Sequence, residues 1–259
     1  MVIGHMGLIF EVSMNDSVKA HVRFQYLMGR FAIFITGPLI YLLIHCVGYR
    51  IRHLEQIRET VKRMYRRHPG PWLICANHLT LIDSVIIAYA MAPCYKYMIH
   101  YHQLPWNMPE KKNFNKNIVI SLLTFVCKCI PVIRKGDRAS VAKSLAKCEF
   151  LLEKNESLMI FPEGTRSRSG RIDPHEYSYG VGRLLSQIPD CNVMCIYLRG
   201  LKQNTFSRVP AFRQEFNMAI CPITPQTRHK GLRAQRDYSR QIIETLIHME
   251  NHYVDGPGK

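Results

Sequence analysis

An α/β fold, with a largely parallel central sheet flanked by helices and an N-terminal hydrophobic helical membrane anchor, is what this 259-residue sequence predicts. Three observations lead there. From residue 70 onward, short uncharged apolar runs alternate with stretches of helical periodicity. Before them lies a long segment without a formal charge, and between the two sits a strongly basic stretch. Residues 1–69 are therefore expected to form a membrane-binding helical element, and 70–259 the α/β domain.

The anchor is read from FAIFITGPLIYLLIHCVGY, residues 31–49. As a helix it would reach about 28 Å, roughly one hydrocarbon core. Gly37-Pro38 is expected to kink or split it. A cleavable signal peptide fits poorly, since about thirty residues precede the run and no small-x-small pattern follows it. Arg23 and Arg30 before it, and Arg50 and Arg52 after it, leave spanning and re-entrant insertion undistinguished. Residues 50–68 carry seven Arg or Lys, with Ile51, Leu54, Ile57, Val61 and Met64 at three- and four-residue steps. That is an amphipathic helix, expected to lie on anionic headgroups.

Beyond Gly70-Pro71, buried strands are expected at WLICA (72–76), CIPVI (129–133), LMIF (158–161), VMCIYL (193–198) and FNMAI (216–220). Helices are expected at 83–91, 138–154, 176–187 and 229–249, with Asp137 as N-cap of the second. Strands alternating with helices imply a parallel sheet whose functional residues gather in loops at the strand ends.

Composition narrows the partners. Lys and Arg total 35 against 19 Asp and Glu, a net charge of +16, which calls for an anionic partner. Hydrophobic residues at 47% and charged residues at 21% exclude a disordered chain. The nine cysteines lie scattered, several inside apolar runs, without CxxC pairs or zinc-finger spacing. They read as reduced structural thiols of a cytosol-facing protein, and no metal site is expected. Nucleic-acid binding is not expected either, because no RNA-recognition or helix-turn-helix signature accompanies the cations.

Three segments carry chemistry. WLICA runs into Asn77-His78-Leu79-Thr80-Leu81-Ile82-Asp83. Five residues apart on one helix, His78 and Asp83 would point about 140° away from each other. They meet only if His78 sits in the strand-to-helix loop and Asp83 in the first helical turn; the carboxylate would then fix the imidazole as a general base. Phe161-Pro162-Glu163-Gly164-Thr165-Arg166-Ser167 packs a carboxylate, hydroxyls and a guanidinium into one tight loop. Arg166 suits forked recognition of phosphate, and Gly164 allows close backbone approach. Arg134-Lys135 sets two cations just before a helix N-terminus.

Together these segments resemble the glycerophospholipid acyltransferases, typified by 1-acyl-glycerol-3-phosphate acyltransferase. His78-x4-Asp83 resembles that family's catalytic motif, and Phe161–Ser167 its FPEGTRS motif without mismatch. Val132-Ile133-Arg134 is similar to the intervening motif that ends in a substrate-binding arginine. The resemblance covers about residues 70–200. It implies acyl transfer from a thioester, acyl-CoA or acyl carrier protein, to the free glycerol hydroxyl of a lysophospholipid, lysophosphatidate first among them. It implies His78 as base, Asp83 as its orienting acid, and Arg134, Glu163, Gly164, Thr165 and Arg166 around the acceptor, at the cytoplasmic face of a membrane and without a cofactor. One departure is that 193–197 lacks the proline usual in the family's last motif, which leaves another lysolipid acceptor open. The polar, aromatic stretch 104–114 is expected to help choose the acceptor. A non-catalytic basic membrane-binding protein, or a thioesterase using water, are the rival readings.

Overall fold

The structure, a computed structural model, describes residues 14–110, 117–133 and 138–255. In chain order the elements are α1 (Asp16–Val47), β1 (Arg50–Ile51), α2 (Leu54–Arg67), β2 (Trp72–Ala76), α3 (Asp83–Met91), α4 (Cys94–Ile99) and a 3₁₀ turn (Tyr101–Gln103). Then come β3 (Trp106–Asn107), α5 (Ile118–Val126), α6 (Arg138–Glu153), β4 (Leu158–Ile160), α7 (Gly180–Gln187), β5 (Asn192–Gly200), β6 (Glu215–Ile223) and α8 (Gly231–Asp255). One sheet has the order β1-β6-β5-β2-β4-β3, parallel throughout except for the β5–β6 pair.

β2 sits in the middle with all five residues buried, which is why it reads as an unbroken apolar run. Its side chains alternate between two cores. Leu73 and Cys75 join Val193, Cys195 and Tyr197 under α6, α7 and α8, where Leu152, Leu184 and Ile242 are buried. Trp72, Ile74 and Ala76 face Ile57 and Val61 of α2 and Ile86 and Ile87 of α3. Helices therefore cover both faces. At Gly182 a Cβ would lie 1.8 Å from the Gln235 carbonyl oxygen, so only glycine lets α7 pack this closely on α8.

Several expected elements differ. α1 is one continuous helix through Pro38, with Ile33 and Ile44 buried on either side of it, so it is not split. It ends at Gly48 in the left-handed conformation (φ 76°). α2 does have the expected apolar stripe, but Ile57, Val61 and Met64 are buried in the protein, so only its cations remain for headgroups. CIPVI forms no regular strand. Only Cys129 and Val132 bridge to Asn107 and Glu110, because Pro131 between them has no N–H to give a ladder. β6 is longer than FNMAI, antiparallel to β5 and half-buried rather than fully buried. Pro222 fits in it because β1 pairs only with its first two residues, leaving the far edge open. α7 starts at Gly180 rather than at 176, since the Ser178 amide is tied to the Pro162 carbonyl. Asp137, the expected N-cap of α6, and Arg134 lie outside the described residues. All nine cysteines are free thiols.

Candidate active site

β2 ends at Ala76, and the next residue locks the turn in place. The Asn77 side chain accepts from Leu198 N (2.7 Å) and donates to Leu198 O (3.0 Å), bonding the loop to the end of β5. His78 follows in the loop, and Asp83 opens α3. Their side chains meet, with His78 Nδ1 3.1 Å from Asp83 Oδ2. The same carboxylate accepts from Leu79 N (2.7 Å), Thr80 N (2.7 Å) and Thr80 Oγ1 (2.5 Å). A carboxylate offers only lone pairs, so Nδ1 carries a proton in this contact, and in the neutral ring the lone pair is then on Nε2. Both residues are buried, at 8% and 3% exposure. Phe161 stacks on the imidazole, ring centroids 4.2 Å apart and planes 24° apart, which fixes the ring orientation.

Glu163 braces the loop from the other side. Its Oε1 accepts from the His78 backbone N–H at 2.8 Å, and the His78 carbonyl accepts from Ser167 N at 3.1 Å. Burial pushes the Glu163 carboxyl up to about 8, although the His78 N–H pulls the other way. Glu163 is thus mostly protonated at neutral pH. An acid raised in the folded state stabilises the fold fully below its ordinary value near 4.5, and the contribution is lost as pH climbs towards about 8. Glu163→Gln removes the titration and keeps an acceptor. The variant is expected to melt like the parent near pH 4.5 and progressively above it up to about pH 8, by the equivalent of a few kcal/mol. A melting difference that does not change across that window would mean the carboxyl ionises freely in the fold.

His78 lines a cavity of about 330 Å³ together with Ser84, Asn107, Glu110, Thr165, Arg166 and Arg168. Arg166 lies over the Phe206 ring at 5.7 Å, with Nη1 3.4 Å from the Ser207 carbonyl. Gly164 has φ +68° and space for a Cβ, so the turn geometry rather than crowding calls for glycine. Glu163 and Gly164 line a neighbouring cavity of about 610 Å³ that shares Met108, Phe161 and Thr165 with the first. An apolar cavity of about 310 Å³, between α1, α3, α4 and α5, shares Leu81, Ser84 and Asn107 with the His78 cavity. The structure therefore gathers His78, Asp83, Glu163, Gly164, Thr165 and Arg166 at one end of the sheet.

Three residues of the site are not named individually in the sequence reading. Thr80 clamps Asp83, and Thr80-x-x-Asp83 has the spacing of a helix capping box, a signal present in the sequence. Asn107 reaches Ser84 Oγ at 2.9 Å on the cavity wall. Glu110 adds a carboxylate to the lining of the cavity that holds two arginines. Asn107 and Glu110 belong to the stretch 104–114 that the sequence marks as a candidate selector of the acceptor.

The arrangement can take a proton from a group seated beside Nε2, bind an anion at the arginines and shelter a hydrocarbon chain alongside. A search of curated proteins gives no match to this chain. A protein-family model described as Acyltransferase matches residues 50–199, more than half of the chain, from β1 through nearly all of β5. The chain belongs to this acyltransferase family.

Proposed function

We propose that the protein moves a fatty acyl group from a thioester, acyl-CoA or acyl carrier protein, to the free glycerol hydroxyl of a lysophospholipid, with lysophosphatidate as the leading acceptor. The observation that carries this is the imidazole itself. Nδ1 is held by Asp83, and the cavity that His78 lines includes Arg166 and Arg168 and shares Leu81, Ser84 and Asn107 with an apolar cavity. A one-tailed lipid with a phosphate has those same three parts.

The acceptor hydroxyl gives its proton to His78 Nε2 as its oxygen attacks the thioester carbonyl. The C–O bond forms, the C–S bond breaks, and the proton passes from Nε2 to the departing thiolate. No enzyme nucleophile is needed, since the alcohol is the nucleophile. Asp83 accepts the Nδ1–H throughout and offsets the positive charge that builds on the ring. Arg166 and Arg168 offer forked donors to the acceptor phosphate. Arg134 remains a third candidate from its motif.

Arg166→Ala is expected to raise the acceptor KM about 10–100-fold and to change kcat little, since a charge-assisted hydrogen bond contributes about 1.5–3 kcal/mol. An unchanged KM for lysophosphatidate would remove Arg166 from the acceptor site. Glu110 favours a second reading, in which the acceptor headgroup carries an amine beside its phosphate. In that case a panel of lysolipids would rank an amine-bearing acceptor above lysophosphatidate, and Glu110→Gln would reverse the order.

A further inference from the structure

We propose that α1 and α5 together form a one-leaflet docking surface, so that the protein lies on a bilayer with both helices sunk into the interface and α1 does not cross. α1 is long and apolar enough to span, yet it is not free to do so. Along one face Phe24, Leu27, Phe31, Ile35, Leu39 and Leu42 are exposed, a row about 28 Å long at three- and four-residue steps. Its opposite face is fastened to the globule. Gln25 Nε2 donates to the Phe125 and Cys129 carbonyls at 2.9 and 2.8 Å, Arg30 donates to Met98 O, and Tyr41 donates to Ala92 O. A crossing helix would strip those groups of their partners inside hydrocarbon, at a cost of several kcal/mol each.

α5 is the second element. It is capped by Asn117 and leaves Ile118, Val119 and Leu122 exposed, Ile118 at 84%. The Phe125 ring lies 6.2 Å from Phe24 and 5.6 Å from His21, which sets α5 beside the first half of α1. Its nine residues reach about 13 Å, too short to cross and suited to lying in the interface. An uncharged apolar face of this extent needs a cover. Charge identifies the cover as anionic lipid. Arg23 is exposed at one end of the α1 row and Arg50 at the other, and the chain as a whole carries a net charge of +16. The apolar cavity walled by Ile33, Ile40, Ile120 and Leu123 of these two helices borders the His78 cavity. A lipid tail leaving the leaflet between α1 and α5 thus has a sheltered route to the base; this route, unlike the docking itself, rests on the acyl-transfer reading.

The test is sedimentation with vesicles of phosphatidylcholine and phosphatidylglycerol, comparing the parent with Phe31→Glu/Ile35→Glu, Val119→Glu/Leu122→Glu and a control at exposed Leu232 on α8, Leu232→Glu. Each paired variant is expected to bind about tenfold or more weakly and the control to bind like the parent. With acceptor embedded in vesicles turnover should fall in step, while turnover on a monomeric short-chain acceptor stays at the parent's level. In reconstituted vesicles, added protease should cut an N-terminal and a C-terminal tag alike. Parent-like binding by the α5 pair, or protection of one tag alone, would overturn the proposal. So would a folded paired variant that loses turnover on the dispersed acceptor equally, or a parent dimer in solution whose loss is the only change in the α5 pair. Because sedimentation needs no turnover, a failure of acyl transfer and a failure of docking give different results.

Discussion

His78→Ala is expected to lower acyl transfer about 10²–10⁴-fold, the usual range for a positioned general base, while the protein keeps its fold. The loss should fall on kcat, because in the proposed reading the acceptor phosphate is bound by the arginines and its hydrocarbon chain by the apolar cavity, and His78 supplies neither. The fold should survive because the loop has its own ties: Asn77 to β5, and Leu79 N and Thr80 N to Asp83. Asp83→Asn keeps one acceptor oxygen yet removes the charge that balances a protonated ring, so a kcat loss of about 10²-fold or more is expected. Circular dichroism and melting, measured beside initial rates, separate the two effects. A folded His78→Ala protein with parental kcat would end the assignment of the base.

The largest effect on stability is expected at Lys128. It is 1% exposed, and its Nζ reaches Glu156 Oε2 (2.6 Å), Tyr101 O (2.7 Å) and Leu104 O (3.0 Å). Trp106 Nε1 adds a 3.0 Å bond to the same Glu156 oxygen. Lys128 has φ +52°, a left-handed conformation that side chains rarely adopt and that these bonds hold. Desolvation pulls the ammonium down to about 8, with Glu156 opposing the shift. Lys128→Met leaves Glu156 buried without its cation, so a loss of about 3–5 kcal/mol in urea unfolding is expected. Lys128→Met/Glu156→Gln should recover part of it, because the unpaired charge is gone. If the single variant lies within about 1 kcal/mol of the parent, the pair is not the strut between α5 and the 104–107 segment that its geometry indicates.

What the sequence made legible follows from local signals. β2 and α3 are read with their observed bounds because a wholly apolar five-residue run ends abruptly at a polar loop and an acid opens the next helix. The meeting of His78 with Asp83 follows from helix geometry, since no other placement brings them together. α5 was missed for a physical reason: nine residues with hardly a polar side chain carry no periodicity to separate helix from strand. CIPVI misled in the opposite sense, as its apolar composition looked like a strand while Pro131 removed the donor. Lys128 reads in sequence as one more solvated cation; only the fold brings Glu156, 28 positions away, to its ammonium. Glu163 sits in a recognisable loop, but its role as a brace on the His78 amide depends on two strand ends lying side by side.

The most direct measurement is mass spectrometry of the lipid products formed from isotope-labelled acyl-CoA and lysophosphatidate, by the parent and by His78→Ala. The label is expected in a two-chain phospholipid made by the parent alone, with little free fatty acid. Label released as fatty acid at one rate with or without the lysolipid, or a two-chain product from His78→Ala at the parent's rate, would contradict an alcohol activated by His78.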